Sequence, residues 1–383
     1  MKKIIPFSFY FLYFAAIAML LPYFVLFYQS LGFNGAQIGL LTGIPPLITL
    51  VGAPFGTGLA DRTRHHRLIM GLGLVVAIAV MMMMPRMSSF ALVFALIVLF
   101  NLFMSPVGSL SDSATMTMLG EQREMYGRIR VGGTIGWGIS AQIAGFLLAL
   151  YGLPILFYVF SGIMLVNFFV SQKLSFGEPE KQDQKTGTAG MLLKERRWIV
   201  FLALAFLGGV GSFSAAAYLS PYLQELGADG RQIGFAFLLA TLTELPAFFF
   251  GNLLVKRFTP YRLIIISLIL LGVRASLFGV VDNLYLAIAL SGLGGVTFPL
   301  FWSASVAYAD ENAPSGLKAT AQGLFGATTF GFGAAFSGFV GGLLLEKIGG
   351  NGMFFVFGVV VLVGWLLIEG VKRLFPEQTI KPT

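Results

Sequence analysis

Two neighbouring apolar stretches indicate the fold class of this chain: QIGFAFLLATLTELPAFFFGNLLV at Gln232–Val255 and LIIISLILLGVRASLFGVV at Leu263–Val281. A helix rises about 1.5 Å per residue, so each stretch can cross a hydrocarbon core about 30 Å thick. The loop between the two stretches, KRFTPYR at residues 256–262, is short and basic. The sequence therefore predicts two consecutive transmembrane helices whose shared loop lies at one membrane face.

Each stretch carries one charged residue near its middle. Glu244 lies twelve residues before Lys256, and Arg274 lies twelve residues after Arg262. Twelve helical residues span roughly 18 Å, so both side chains should lie at one depth near the bilayer centre. An ionisable group at that depth is costly and usually marks a path for an ion or solute. We expect the two residues to face each other, either as a pair whose separation controls protonation of Glu244 or as a static pair that fixes helix packing.

Composition extends this prediction to the whole chain. Of 383 residues, 57% are hydrophobic and only 11% are charged, which excludes an ordinary soluble domain. There is no cysteine, which excludes disulfides, thiolate nucleophiles and cysteine-based metal sites. The apolar runs predict an all-α integral membrane protein with twelve transmembrane helices, near 5–28, 37–59, 68–85, 90–119, 131–150, 154–172, 197–223, 232–255, 263–281, 284–309, 319–345 and 352–371.

The distribution of basic residues predicts the orientation. With the N-terminus inside, 21 of the 25 lysines and arginines fall in cytoplasmic segments, so the positive-inside rule places both termini in the cytoplasm. The net charge of +8 is thereby explained by topology, and we expect no nucleic-acid partner. We expect a multi-pass protein of the plasma (inner) membrane.

The chain repeats itself at an offset of 195 residues. LGFNGAQIG at Leu31–Gly39 matches LGADGRQIG at Leu226–Gly234, and GTGLADRTRHHRLI from Gly56 matches GNLLVKRFTPYRLI at the same offset. Parallel repeats of this kind occur in secondary transporters with a binding site between the repeats. The counterpart of Glu244 is Thr49, so the ionisable group is special to the second repeat.

The repeat and the longest polar stretch together predict the domains. We expect an N-terminal six-helix bundle at 1–172, a flexible cytoplasmic linker at 173–196 and a C-terminal six-helix bundle at 197–383. The two pseudo-symmetric bundles would enclose a central cavity.

The loop GLADRTRHHR at Gly58–Arg67 resembles the loop signature of the major facilitator superfamily, because its Leu-Ala-Asp-Arg core matches that pattern. The inner glycine of the signature is replaced by Arg64. An Asp at the end of a helix can pair with a basic group on a neighbouring helix, so we interpret Asp61 and Arg62 as a conformational clasp. The alternative is that these charges serve topology alone. The two histidines of the loop are expected to be solvated.

YGRIRVGGTIGWG at Tyr126–Gly138 resembles proton symporters related to lactose permease, nucleoside permease and 3-phenylpropionate permease. The runs FP, AYADE and ATAQGLFG between residues 298 and 326 resemble the same group. This resemblance covers nearly the whole chain and implies alternating access. It also implies that Arg128 and Arg130 take part in cytoplasmic gating with acids such as Asp61 or Asp310.

A polar stripe on the fourth predicted helix includes Asn101 and Asp112 at helical spacing. Nothing stabilises a polar stripe against lipid, so this face should line a cavity or another helix. Asp112 is a candidate for proton coupling or substrate recognition, and a structural hydrogen-bonded Asp is the alternative. The substrate-facing candidates, with packing as the alternative for each, are Tyr23, Asn101, Trp137, Gln142, Tyr218, Trp302, Tyr308 and Gln322.

These observations predict a monomeric, proton-coupled symporter of a small organic solute, in the sugar, nucleoside or aromatic acid class. Its partners would be the solute, the proton and membrane lipid, with no cofactor or metal. A proton-antiporting exporter of lipophilic compounds is the main alternative. An intramembrane enzyme is disfavoured because no His-Glu-x-x-His or Walker-type run is present.

Overall fold

The computed structural model describes residues 3–177, 189–314 and 316–374, and the regular elements in those ranges are all helical. The α-helices are α1 Ile4–Leu20, α2 Phe24–Ser30, α3 Gly35–Thr63, α4 His66–Met83, α5 Phe90–Leu119, α6 Tyr126–Tyr151, α7 Pro154–Ser171, α8 Ala189–Lys194, α9 Arg196–Glu225, α10 Gly230–Arg257, α11 Pro260–Phe278, α12 Leu284–Gly292, α13 Gly294–Asn312, α14 Lys318–Gly326 and α15 Ala334–Leu374. A π-helical segment, Ala327–Gly333, joins α14 to α15.

The all-helical prediction is confirmed, and each predicted span falls on helix. Ten helical stretches among the described residues are long and apolar enough to cross a membrane, which makes this a multi-pass membrane protein. The last two predicted spans run together as Lys318–Leu374, and the helix bends where Gly349 adopts a φ of 70°. The tenth predicted span is divided at Leu293, between α12 and α13.

The sequence repeat forms the same local structure twice. Asn34 and Gln37 cap the start of α3, each side chain accepting from the other's backbone N–H. Asp229 and Gln232 do the same at the start of α10, with N···O distances of 2.9 Å. A capping box of this kind satisfies N–H groups that a helix start otherwise leaves unpaired. The repeat therefore marks two equivalent helix starts.

Part of the predicted linker, residues 178–188, lies outside the described residues. Its last part forms the short helix α8. The two halves of the chain, residues 3–177 and 189–374, meet mainly where α3 packs on α15 and α6 packs on α10. These two helix pairs position the candidate site.

Candidate functional site

The first contact between the halves is a glycine seam between α3 and α15. A Cβ placed on Gly39 would lie 2.7 Å from the carbonyl oxygen of Phe339, and one on Gly338 would lie 2.5 Å from the backbone nitrogen of Gly43. Only hydrogen fits there, so small residues let the two backbones touch. The Gly338/Gly342 spacing therefore serves packing.

The second contact between the halves is a similar glycine seam, between α6 and α10. A Cβ on Gly234 would lie 2.8 Å from the carbonyl oxygen of Ala141 and 3.1 Å from the Cα of Gly145. Gly39 and Gly234 are equivalent positions of the sequence repeat. The repeated motif therefore supplies one face of both seams. A further pair of glycines four residues apart, Gly132 and Gly136, packs on α1.

Hydrogen bonds join the halves at the same end, which we call the Asn34 end because α3 begins there. The backbone N–H of Gly35 donates to the Glu346 carboxylate at 2.9 Å. Thr42 contacts the Tyr218 hydroxyl at 2.9 Å and donates to the Gly338 carbonyl at 3.1 Å. In the second seam, the Gln142 amide donates to the Arg231 carbonyl at 3.4 Å. These bonds and the glycine seams close the Asn34 end.

The opposite end, which we call the Asp61 end, is held by contacts inside each half. Asp61 bonds to Nε2 of His66 at 2.8 Å, across the α3–α4 turn. His66 is buried and stacks on Phe176 with ring centroids 5.3 Å apart. The prediction of two solvated histidines is therefore wrong for His66, because its ring packs under Phe176 and binds the clasp acid. His65 is exposed, as predicted.

Asp112 is the centre of a second cluster at the Asp61 end. Its carboxylate accepts from Tyr10 at 2.5 Å, from Tyr126 at 2.9 Å and from the Arg130 guanidinium at 2.8 Å. Arg130 also donates to the Tyr126 hydroxyl and lies 5.6 Å from the Tyr10 ring centre. The predicted polar stripe thus lines a contact with α1 and α6. The predicted partners of Arg130, Asp61 and Asp310, are wrong for this conformation.

Asp310 is also satisfied within its own half, by the ammonium group of Lys318 at 2.9 Å. Arg62 and Arg128 are exposed. The only bond found for Arg128 within the described ranges runs to the sulfur of Met125, at 3.8 Å. The gating candidates therefore occupy one end of the molecule, as predicted, but Asp61, Asp112 and Asp310 each bind a basic group of their own half.

Glu244 and Arg274 do not form the predicted pair. Among the residues that the structure describes, neither takes part in an ion pair. The buried Arg274 guanidinium instead lies over the Phe278 ring at 5.4 Å and donates to Thr297 at 3.5 Å, while its Nε has no partner. A Cβ on Gly294 would lie 2.7 Å from Nη1 of this arginine. The predicted direct contact between Glu244 and Arg274 is therefore wrong, because helix α13 packs against the Arg274 guanidinium instead.

Helix α10 meets the same segment of α13 from another side. A Cβ on Gly295 would lie 2.6 Å from the backbone nitrogen of Glu244. One residue earlier on α10, the Thr243 hydroxyl donates to the Gly292 carbonyl at 2.6 Å. The carboxylate of Glu244 is half-buried and makes no hydrogen bond within the described ranges. The backbone of Glu244 and the Arg274 guanidinium therefore flank the glycine segment of α13.

The substrate-facing candidates separate into buried and partly exposed groups. Tyr23 and Tyr218 are fully buried, and their hydroxyls donate to the carbonyls of Ala141 and Gly338. The other six are partly exposed, and none of their local contacts decides between substrate binding and packing. Asn101, Gln142 and Gln322 donate to backbone carbonyls, Trp302 and Tyr308 lie in aromatic clusters, and Trp137 packs against the core. Substrate binding by these residues stays a prediction.

Sequence reasoning missed three polar side chains that make these contacts. Tyr10 completes the Asp112 cluster, and Thr42 and Glu346 link the halves. The signals of Tyr10 and Thr42 were weak because each lies in a largely apolar run. The glycines that face Thr42 and Glu346 were visible, since both belong to the repeated or Gly-x-x-x-Gly motifs.

Apolar helices, an internal repeat and two glycine seams between the halves define this chain as a multi-pass membrane transporter. The chain belongs to the MFS_1 like family, whose pattern matches residues 7–357, and this confirms the predicted resemblance. It is 28% identical to the maltose permease of Geobacillus stearothermophilus, over 96% of this chain and 93% of that protein.

Two other comparisons agree with this assignment. The "Probable 3-phenylpropionic acid transporter" of Escherichia coli (strain K12) is 23% identical, over 94% of this chain and 95% of that protein. The crystal structure of the nucleoside transporter NupG superposes with a TM-score of 0.83, over 97% of this chain and 98% of that chain, at 16% identity. The last comparison supports the fold alone.

Proposed function

We propose that this protein is a secondary active transporter that moves a small organic solute by alternating access and couples it to proton symport. The observation that carries the proposal is the difference between the two ends. Bonds and glycine seams join the halves at the Asn34 end, whereas Asp61, Asp112 and Asp310 at the other end bind basic side chains of their own half. Such a molecule is closed at one end and can open at the other.

The arrangement supports two six-helix bundles, 1–172 and 197–383, joined by the segment 173–196. The basic residues support cytoplasmic termini in the plasma membrane, so the Asp61 end would face the cytoplasm. The conformation is then inward-facing. In the outward-facing state the two seams would separate, and Arg128, Arg130 and Asp310 would meet across the halves.

We assign the transported proton to Glu244. Its sequence position predicts mid-depth, and on α10 it lies beside the glycine segment of α13 that follows Leu293. Burying an unpaired charge in an apolar region is costly, so this carboxyl has to gain or lose a proton as its surroundings change. Asp112 has three donors around one oxygen, which favours a role in the inner gate over proton transfer.

The solute class follows from relatives and from the aromatic residues of the second half. The maltose permease and the probable 3-phenylpropionic acid transporter are named for solutes that contain rings, which supports a ring-bearing solute here. The ring centroids of Trp302 and Phe330 are 5.1 Å apart, and Trp302 also stacks on Phe298. The Phe330 side chain is 40% exposed. Aromatic faces of this kind bind sugar and aromatic rings through dispersion contacts.

Reconstituted protein tests both the coupling and its direction. In proteoliposomes with an acidic exterior, maltose, uridine and 3-phenylpropionate are offered in turn. A symporter accumulates its solute and alkalinises the medium, and a protonophore abolishes the accumulation. Uptake that is indifferent to the proton gradient would refute coupling, and solute extrusion against an inward proton gradient would favour the exporter.

A further inference from the structure

A groove on the outer surface of the first half has no part in the transport cycle described above. It lies between α4 and α7 at the Asp61 end. Its rim is basic, with Arg64, His65 and Arg67, and its wall is apolar, with Leu72, Val75 and Phe168. Neither α4 nor α7 belongs to the helix pairs that join the halves, so the groove faces the membrane.

The rim has positive charge that the described residues leave largely unneutralised. Among the residues that the structure describes, none of those lining the groove is acidic. In the part of the chain that the structure describes, Arg64 makes no ion pair, and Arg67 donates to the Leu174 carbonyl at 3.0 Å. Arg64 also adopts a left-handed conformation, with a φ of 58°, which is uncommon for a residue other than glycine. Asp61, three residues before Arg64 in the chain, binds His66.

The wall continues from the rim toward the hydrocarbon depth. Leu68, Leu72 and Val75 follow one face of α4 and are 65%, 48% and 46% exposed. Seven residues of helix extend about 10 Å, which is the length of several methylene groups. Gly71 keeps the groove deep, because even a Cβ there would lie 3.3 Å from Phe168 and Gln172.

We propose that this groove binds one anionic glycerophospholipid of the phosphatidylglycerol type. Its phosphate lies against Arg64 and Arg67, and one acyl chain lies along Leu68, Leu72 and Val75. A guanidinium matches a phosphate in charge and geometry, and basic pockets between membrane helices select anionic headgroups. The apolar wall requires a chain as well as a phosphate, so a lipid fits and a free phosphate does not. With the Asp61 end in the cytoplasm, the lipid belongs to the inner leaflet.

Lipid titration followed by native mass spectrometry tests the proposal on delipidated full-length protein in a neutral detergent. Phosphatidylglycerol, phosphatidylcholine and inorganic phosphate are the probes. We expect phosphatidylglycerol to bind at one saturable site, more tightly than phosphatidylcholine. A basic residue near an anionic surface contributes enough that Arg64→Gln should weaken phosphatidylglycerol binding roughly fivefold. The charge-matched control is Lys347→Gln, at an exposed position of the Asn34 end, and it should bind as the unsubstituted protein does.

Leu72→Trp distinguishes a lipid from a phosphate ion, because it fills the acyl groove and leaves the rim intact. We expect it to weaken phosphatidylglycerol binding, with Val75→Trp as a second variant and size-exclusion chromatography as the check of folding. Equal binding of the two lipids, or equal effects of Arg64→Gln and Lys347→Gln, would overturn the proposal. Competition by inorganic phosphate together with indifference to both tryptophan variants would identify a simple anion site and would overturn it too.

Discussion

Replacement of Gly39 by Ala should open the Asn34 end. The new Cβ would lie 2.7 Å from the Phe339 carbonyl oxygen and 3.3 Å from its Cα, and both atoms belong to the backbone of α15. Ordinary contact begins at 3.4 Å, so the helices must separate by about 0.7 Å. Overpacking of this kind typically costs about 1–3 kcal/mol. At about 1.4 kcal/mol for each factor of ten, the closed population should fall roughly five- to 150-fold relative to the open one.

The absence of native cysteine makes this measurable with spin labels. Labels at Ala36→Cys on α3 and Lys347→Cys on α15, both exposed, report the separation of the seam by double electron–electron resonance. Gly39→Ala should add a longer distance to the distribution. Gly162→Ala is the control, because a Cβ there meets nothing within 4 Å. A distribution identical to that of the control, in well-folded protein, would refute the idea that this seam holds the end closed.

Three further substitutions test the charged groups. Glu244→Gln should abolish uphill uptake and leave downhill exchange, and full accumulation by this variant in proteoliposomes would remove the coupling role. Arg274→Lys should slow transport, since lysine lacks the planar group that lies over Phe278, and an unchanged initial rate would contradict this. Asp112→Asn removes the carboxylate that binds Arg130, a half-exposed pair, so thermal unfolding should show a loss of about 1–2 kcal/mol, whereas an unchanged Tm would argue against a structural cluster.

The positions of the helices were predictable from sequence because lipid imposes simple requirements. A segment such as Phe90–Leu119 must be apolar over the full bilayer thickness, and its predicted and observed bounds agree. The repeat was predictive as well. It located Gly39 and Gly234, and the structure places each at a contact between the halves. What the repeat could not provide was the partner of each glycine, since that depends on which helices become neighbours.

The bonds of Arg130 in this conformation differ from the pairs that the resemblance implied. Sequence analysis paired Arg130 with Asp61 or Asp310 and made Asp112 a candidate for proton coupling or substrate recognition. In the structure the end of α5 lies beside the start of α6, so Asp112 is within 2.8 Å of Arg130. Tyr10 arrives from α1, and nothing in its apolar neighbourhood signalled a hydrogen bond to an acid. Local contacts of this type depend on helix rotation, which periodicity alone determines poorly.

Glu244 and Arg274 show that equal depth does not establish contact, and the reason bears on mechanism. Helix α13 presents Gly294 to the arginine and Gly295 to the backbone of α10, so it can approach both helices closely. This segment is also easily deformed. The helix is interrupted at Leu293, and Pro299 has no N–H to bond the Gly295 carbonyl one turn earlier. Because the glycine segment lies against both charged residues, we infer that its movement sets their separation. Opening of the Asn34 end and protonation of Glu244 would then be linked through one deformable turn.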